Sequence, residues 1–246
     1  MDDDPLERVQ LTRRYHLHQR ARGHRTATDD VLCAWGGVTA HPAARRYLDL
    51  GAGHGSVTLM TLGTLPADAR AHAVEAQAIS HALLTRNLAE SDLARRATAV
   101  LGDIRDPELL GDARFDLITG SPPFMPLGSG PLPKDPQRAG GRFELRGGIE
   151  AYATAAARWL ETDGVASLLM DGASRPRCER AFAAAGLALV GATTVLPTPD
   201  KPPRYIIYAV ARATATAADE RVLVVRDRAG AWTDAFSRVR EMLDLP

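Results

Sequence analysis

The sequence predicts an α/β fold, doubly wound around a mostly parallel seven-stranded sheet that ends in an antiparallel C-terminal hairpin. Three observations carry this. Between Arg46 and Ala185, short apolar runs alternate with helical patterns, the signature of parallel βαβ units. The run from Tyr47 to Leu50 stops at a glycine-rich turn, Gly51 to Gly55, that leads into a helical stretch. Near the C-terminus two apolar runs, Leu187 to Leu196 and Arg204 to Arg212, are joined only by the Pro-rich turn Pro197 to Pro203, which is too short for anything but antiparallel pairing.

The elements follow in order. Residues 1–10 read as a frayed start. From Arg8 to Arg25 the charge is one-sided, with Arg8, Arg13, Arg14, Arg20, Arg22 and Arg25 interleaved by His16, His18 and His24 and no acid between them. That is either a solvated arm or an arm that contacts phosphates. Thr28 or Asp29 can cap a helix running to about Thr39, which His41-Pro42 breaks. Strands are expected at 46–50, 71–74, 97–101, 115–119 and 165–170, with helices at 56–65, 76–89, 150–160 and 175–185. After the hairpin and a small Ala/Thr linker near Ala213 to Asp219 come a strand at 221–225 and a last helix with Phe236, Val239 and Met242 on one face. The domain reading is a basic arm and helix over 1–40, then one domain over 41–246 with a short strand–helix extension. Ser121 to Gly148 has six prolines, six glycines and no periodicity, and loops of that length in compact domains carry function or disorder.

Bulk properties bound the function. With 246 residues and 45% hydrophobic side chains, the chain can bury a sizeable core. Thirty basic and thirty acidic residues leave the net charge silent about nucleic acid. Cys33 and Cys178 form no disulfide framework and no paired-cysteine metal motif, which fits reduced thiols in a cytosolic protein. The acidic start has no apolar run of a signal peptide, and no stretch nears the ~18 apolar residues of a membrane span, so neither a membrane partner nor a metal is expected.

The chemistry sits at the ends of the strands. Gly51, Gly53 and Gly55 bring bare backbone close to a ligand, or serve only tight strand–helix packing. Asp49, at the end of its strand, can face a cationic group such as an ammonium. Glu75 closes the second strand where such sheets bind ribose hydroxyls, although it also suits a helix N-terminus. Asp103 can accept from an adenine amino group while Ile104 packs on the ring. Ser121-Pro122-Pro123-Phe124 follows the fourth strand. Its prolines fix carbonyls that, with the Ser121 side chain, can both accept from one planar NH2 group. Phe124 offers a face for a flipped base. His54, inside the glycine turn, is read as facing the cofactor pocket rather than as a base.

Together these residues resemble a class I S-adenosylmethionine-dependent methyltransferase, with its Rossmann-like fold. The finer resemblance is to bacterial tRNA adenine-N6 methyltransferases that act beside the anticodon of a valine tRNA. Gly23 to Asp29 is similar to that group's Gly-x-Arg-x-Gly-Thr-Asp, with Ala27 in place of its second glycine. Pro131 to Arg146 is similar to its Pro-x-x-x-Arg-x-x-x-Arg-x-Glu region, and Arg221 to Leu243 to its closing strand and helix. The resemblance implies S-adenosylmethionine as cofactor, held by Asp49, Gly51, Gly53, Gly55, Glu75, Asp103 and Ile104. It implies methyl transfer to an adenine N6 at Ser121, Pro122, Pro123 and Phe124, a cytoplasmic tRNA as partner, and substrate contacts from Arg22, Arg25, Asp29, Arg138 and Arg142. Lys134 and Arg146 join the phosphate-holding set. The group carries Asn-Pro-Pro-Tyr/Phe where this chain has Ser121. That change keeps two other readings open, a methyltransferase for a protein glutamine or small-molecule amine, and a module that binds the cofactor without turnover.

Overall fold

The computed structural model describes residues 4–212 and 218–246. Of the expected Ala213–Asp219 linker, residues 213–217 lie outside that range. The large sheet has eight strands: β3 (Arg46–Leu50), β4 (Arg70–Glu75), β5 (Ala97–Leu101), β6 (Phe115–Gly120), β7 (Leu160–Asp171), β8 (Ala188–Leu196), β9 (Tyr205–Ala211) and β10 (Asp219–Val224). Their order is β10-β8-β9-β7-β6-β3-β4-β5. All eight were anticipated as strands, but β10, expected in an extension beyond a seven-stranded sheet, instead joins the edge of that sheet by pairing parallel with β8. Only β9 runs against its neighbours, β7 and β8, as the short Pro-rich turn requires.

The position of β3 decides where a ligand can go. It pairs parallel with β4 on one side and with β6 on the other, so the strand order reverses there. At such a point the connections leave to opposite faces of the sheet and open a crevice outside the strands' carboxyl ends. β3 is buried on both faces: Tyr47 joins one apolar cluster and Leu48 and Leu50 the other. Helices α1 (Thr28–Ala40), α2 (Ser56–Thr64) and α3 (Ala78–Ala89) contribute to the first cluster, and α5 (Ile149–Trp159) and α6 (Arg175–Ala184) to the second. A helix α7 (Asp234–Met242), capped by Thr233, seats Phe236 and Val239 against the first. No helix among the described residues is long and apolar enough to cross a membrane.

Three local expectations are corrected. The start of the chain is not frayed from residue 6 onward: β1 (Leu6–Gln10) pairs antiparallel with β2 (His16–Arg20) in a separate two-stranded sheet. Nor is the arginine-rich segment a free arm. Acids from distant parts of the chain meet it, with Arg13 on Asp244 at 3.4 Å, Arg14 on Asp92 at 2.8 Å and Arg25 on Glu7 at 3.0 Å. Local sequence could not show this because every partner but Glu7 is remote. The N-cap of α1 is Ala27, not Thr28 or Asp29, and its N–H donates to the Asp30 carboxylate at 2.7 Å.

A fourth correction concerns Ser121 to Gly148, which holds a helix, α4 (Pro136–Arg142). It has no apolar periodicity, but it has a start signal: Pro136 occupies the first turn, and Asp135 accepts from the Arg138 N–H at 2.8 Å. Its anchor is Gln137, fully buried, which accepts from the His24 N–H and donates to Ser80 Oγ at 3.1 Å. Arg20, 4% exposed, bridges Asp4 at 3.3 Å and Asp135 at 2.8 Å and so ties β2 to α4. Truncating it leaves carboxylates of low exposure with a partner removed, which costs about 3 kcal/mol or more. Arg20→Ala is therefore expected to lower the unfolding midpoint by about 10 °C. A shift under ~3 °C in a thermal melt would show that the bridge is dispensable.

Candidate active site

At the carboxyl ends of β3, β4 and β6 lies a cleft of two joined cavities, of about 720 and 500 Å³. His24, Gly51, Gly53, Ser121 and Gly141 line both. The larger cavity adds Glu75, Gln77, Asp103, Ile104, Pro123, Arg146 and Tyr152. The smaller adds Asp29, Asp30, Asp49, His54, Pro122 and Phe124. Residues spread over a hundred positions thus share one opening because three neighbouring parallel strands end at one level.

The glycine turn is built for close approach. Gly51 has φ +68°, and a Cβ there would sit 2.2 Å from the Tyr152 hydroxyl oxygen. At Gly53, with φ +59°, a Cβ would meet nothing within 4 Å, so its space is open to the cleft. Gly55, at φ +96°, lines neither cavity and lies against Leu84 instead. Glu75 holds the turn in place: the Gly53 N–H donates to one carboxylate oxygen at 2.9 Å and the Gln77 N–H to the other at 2.7 Å. Burial raises the Glu75 pKa, while these two amides act in the opposite direction. A carboxylate offers about four lone-pair sites, so two remain for a ligand.

Asp49 is 2% exposed and accepts from two hydroxyls, Thr58 at 2.6 Å and Thr119 at 2.8 Å. Burial pushes its carboxyl up to about 7 despite those bonds. Asp103 is exposed enough to be gripped by Arg105 at 2.7 and 2.9 Å, which holds its pKa low. Ile104 beside it is buried. On the other side of the cleft, Asp30 accepts from Ser56 Oγ at 2.6 Å, and burial with the Asp30 charge pushes Asp29 up to about 6. His54 Nε2 lies 2.8 Å from Thr26 Oγ1, its Nδ1 has no partner among the described residues, and burial pushes it down to about 4. A neutral, enclosed imidazole agrees with the expectation that His54 faces the pocket. Phe124 sets its ring 5.7 Å from that of Tyr205.

The expected substrate residues divide. Arg22, Lys134, Arg138 and Arg142 gather with Arg20, Asp4 and Asp135 around a basic hollow of about 1180 Å³ beside α4. Arg25 lies outside both cleft and hollow, paired to Glu7. Arg146 is in the cofactor cleft, not with the other arginines, where its charge favours ionised Glu75 and Asp103. Tyr152, Gln77 and the Gly140-Gly141 pair were not anticipated. At Gly141 a Cβ would lie 2.8 Å from the His24 ring, so glycine lets α4 sit close over the cleft, a fit that appears only in three dimensions.

A glycine turn at the reversal point of a parallel sheet, an acid closing the second strand and a Ser-Pro-Pro-Phe turn after the fourth define an S-adenosylmethionine-dependent methyltransferase. Residues 38–128 match the family model described as methyltransferase small domain. A tRNA1(Val) (adenine(37)-N6)-methyltransferase of Porphyromonas gingivalis is 30% identical, over 93% of this chain and 92% of its own. One of Shewanella amazonensis is 29% identical, over 91% and 93%. The chain belongs to the family of tRNA1(Val) (adenine(37)-N6)-methyltransferases. Among solved structures, a predicted O-methyltransferase of Agrobacterium tumefaciens has a TM-score of 0.64 at 17% identity, covering 88% of this chain and 98% of its own. A putative RNA methyltransferase of Pyrococcus horikoshii has 0.53 at 17%, covering 76% and 83%. Both likenesses concern the fold.

Proposed function

We propose that the protein transfers the methyl group of S-adenosylmethionine to an adenine N6 in tRNA. The observation that carries this is the meeting of two cavities at Ser121: one holds Glu75 and the glycine turn, the other Pro122, Phe124 and Asp29. Glu75 would hold the cofactor's ribose with its free lone pairs, Asp103 and Ile104 its adenine, and Asp49, in the smaller cavity, its amino-acid end. Gly51 and Gly53 supply backbone without side chains in between. The target base stacks on Phe124, and its amino group donates to Ser121 Oγ and the Pro122 carbonyl. Those bonds turn the nitrogen lone pair toward the sulfonium methyl. When bound, the cofactor would supply an electrophilic methyl group: the N–C bond would form as the S–C bond broke, and the nitrogen would then release its extra proton. Positioning and a fixed polar environment supply the rate.

In this reading residues 1–40 cap the cleft of a catalytic domain over 41–246. Arg22, Lys134, Arg138 and Arg142 take phosphates, and Asp29 borders the acceptor. A tRNA substrate places the work in the cytoplasm. The direct test is incubation with labelled cofactor and total tRNA at increasing salt. Transfer to tRNA is expected, with affinity falling linearly on a log–log scale as phosphate contacts give way to counterions. A flat salt response with label in protein would favour a glutamine or small amine, the reading that the shorter arm of Ser121 keeps in view.

Asp49 makes a pH prediction. An acid raised from 3.8 to about 7 by folding stays protonated in the folded apo-protein while the unfolded chain has already ionised. Its contribution to stability is therefore present below about pH 4 and is lost as pH rises toward 7. A cationic ammonium prefers the ionised form, so cofactor affinity should rise about tenfold per pH unit up to about 7 and level off above. Calorimetry between about pH 5.5 and 8 reads this. Asp49→Asn should remove the Asp49 component of the slope and weaken binding at pH 8.

A further inference from the structure

A second groove lies beside the cleft, across the Phe124–Tyr205 ring pair. Phe124 borders the cleft, and its partner Tyr205 lines a cavity of about 750 Å³ with Thr28, Leu32, Arg204, Arg226 and Trp232. Thr28 and Asp29 are adjacent on α1 and border the two openings in turn. Each aromatic ring of the groove carries a guanidinium. Arg204 lies over Tyr205 at 5.2 Å, and Arg226 over Trp232 at 3.4 Å, the distance of stacked planes. Arg226 is fixed there by donating to the Gly230 carbonyl at 2.6 Å. Among the described residues neither arginine is ion-paired with a carboxylate, whereas the β1–β2 segment has Arg13, Arg14 and Arg25 so engaged. Trp232 is 38% exposed although Phe236 packs against it at 4.9 Å.

Rings and guanidinium planes at an open groove, with positive charge left unneutralised, suit an unpaired nucleotide: its base stacks and its phosphate meets an arginine. We infer that this groove holds the nucleotide next to the one being methylated, its base against the Arg226–Trp232 pair and its phosphate on Arg204. The inference rests on the RNA reading above and adds to it a single-stranded substrate gripped on the Tyr205 side, away from the basic hollow beside α4.

The test measures binding of a short single-stranded RNA, one adenosine within pyrimidines, by fluorescence anisotropy. Trp232→Leu keeps apolar bulk against Phe236 but removes the flat ring, and Arg226→Ala removes the cation. Each should weaken RNA binding about tenfold, the usual share of one stacked base, with cofactor affinity within about twofold of the parent as proof of an intact fold. Arg226→Lys keeps the charge without the plane and should not restore binding. If the parent protein and these variants bind and methylate the RNA equally, the groove is not a nucleotide site, and the RNA reading stands. If the parent binds neither this RNA nor tRNA, both readings fall.

Discussion

Glu75→Ala is expected to abolish cofactor binding at ordinary concentrations and to loosen the turn that forms the site. The side chain does two jobs with one carboxylate. It accepts the Gly53 and Gln77 amides, and it faces the larger cavity with the lone pairs left over. Alanine strands both amides. A buried unsatisfied donor costs ~1–3 kcal/mol, and water from the open cleft can relieve part of it, so a net loss of about 2–3 kcal/mol is expected. In a chain of this size that is roughly 6–8 °C in the unfolding midpoint. Hydrogen bonds to a charged group contribute ~1.5–3 kcal/mol each, so losing those to the ribose hydroxyls should weaken the cofactor at least about 100-fold. Titration calorimetry and a thermal melt on the same variant separate the two effects. A variant that melts early yet binds normally would leave Glu75 a role in the turn alone.

The second large effect falls on turnover and spares the cofactor. In a Ser121→Ala and Phe124→Ala double variant, methyl transfer should drop by about 10³-fold or more, while cofactor affinity stays within about twofold. Loss of one stacked base contact accounts for ~1–3 kcal/mol, and loss of an orienting group at the reacting nitrogen for a comparable share. Phe124 also packs on Tyr205 and on both apolar clusters, so Phe124→Leu serves as the packing control. It should fold normally and still turn over slowly. Equal activity in the leucine variant would show that Phe124 fills space and does not stack a base.

The parallel core was legible because its signals are local. β3 to β7 with α2, α3, α5 and α6 announce themselves by apolar period and by glycine and proline punctuation. Glu75 and Ser121 could be placed because strand ends in such sheets share one level. Three things were not legible, each for a physical reason. β1 is a strand because β2 lies beside it, and its own alternation is weak. α4 depends on a cap and on Gln137 buried against Ser80, not on an apolar face. Charge read along the sequence overstated the β1–β2 arginines, since Asp92, Asp135 and Asp244 reach them only in three dimensions. Among the described residues the same folding left Arg204 and Arg226 without carboxylate partners, and nothing in the linear charge pattern singled them out.

Mass spectrometry of nucleosides, after the protein has acted on unmodified tRNA with S-adenosylmethionine, tests the central claim most directly. N6-methyladenosine should appear in the treated RNA and be lost in the Ser121/Phe124 double variant. Unmodified nucleosides with the methyl group recovered on a protein or a small amine would contradict the account.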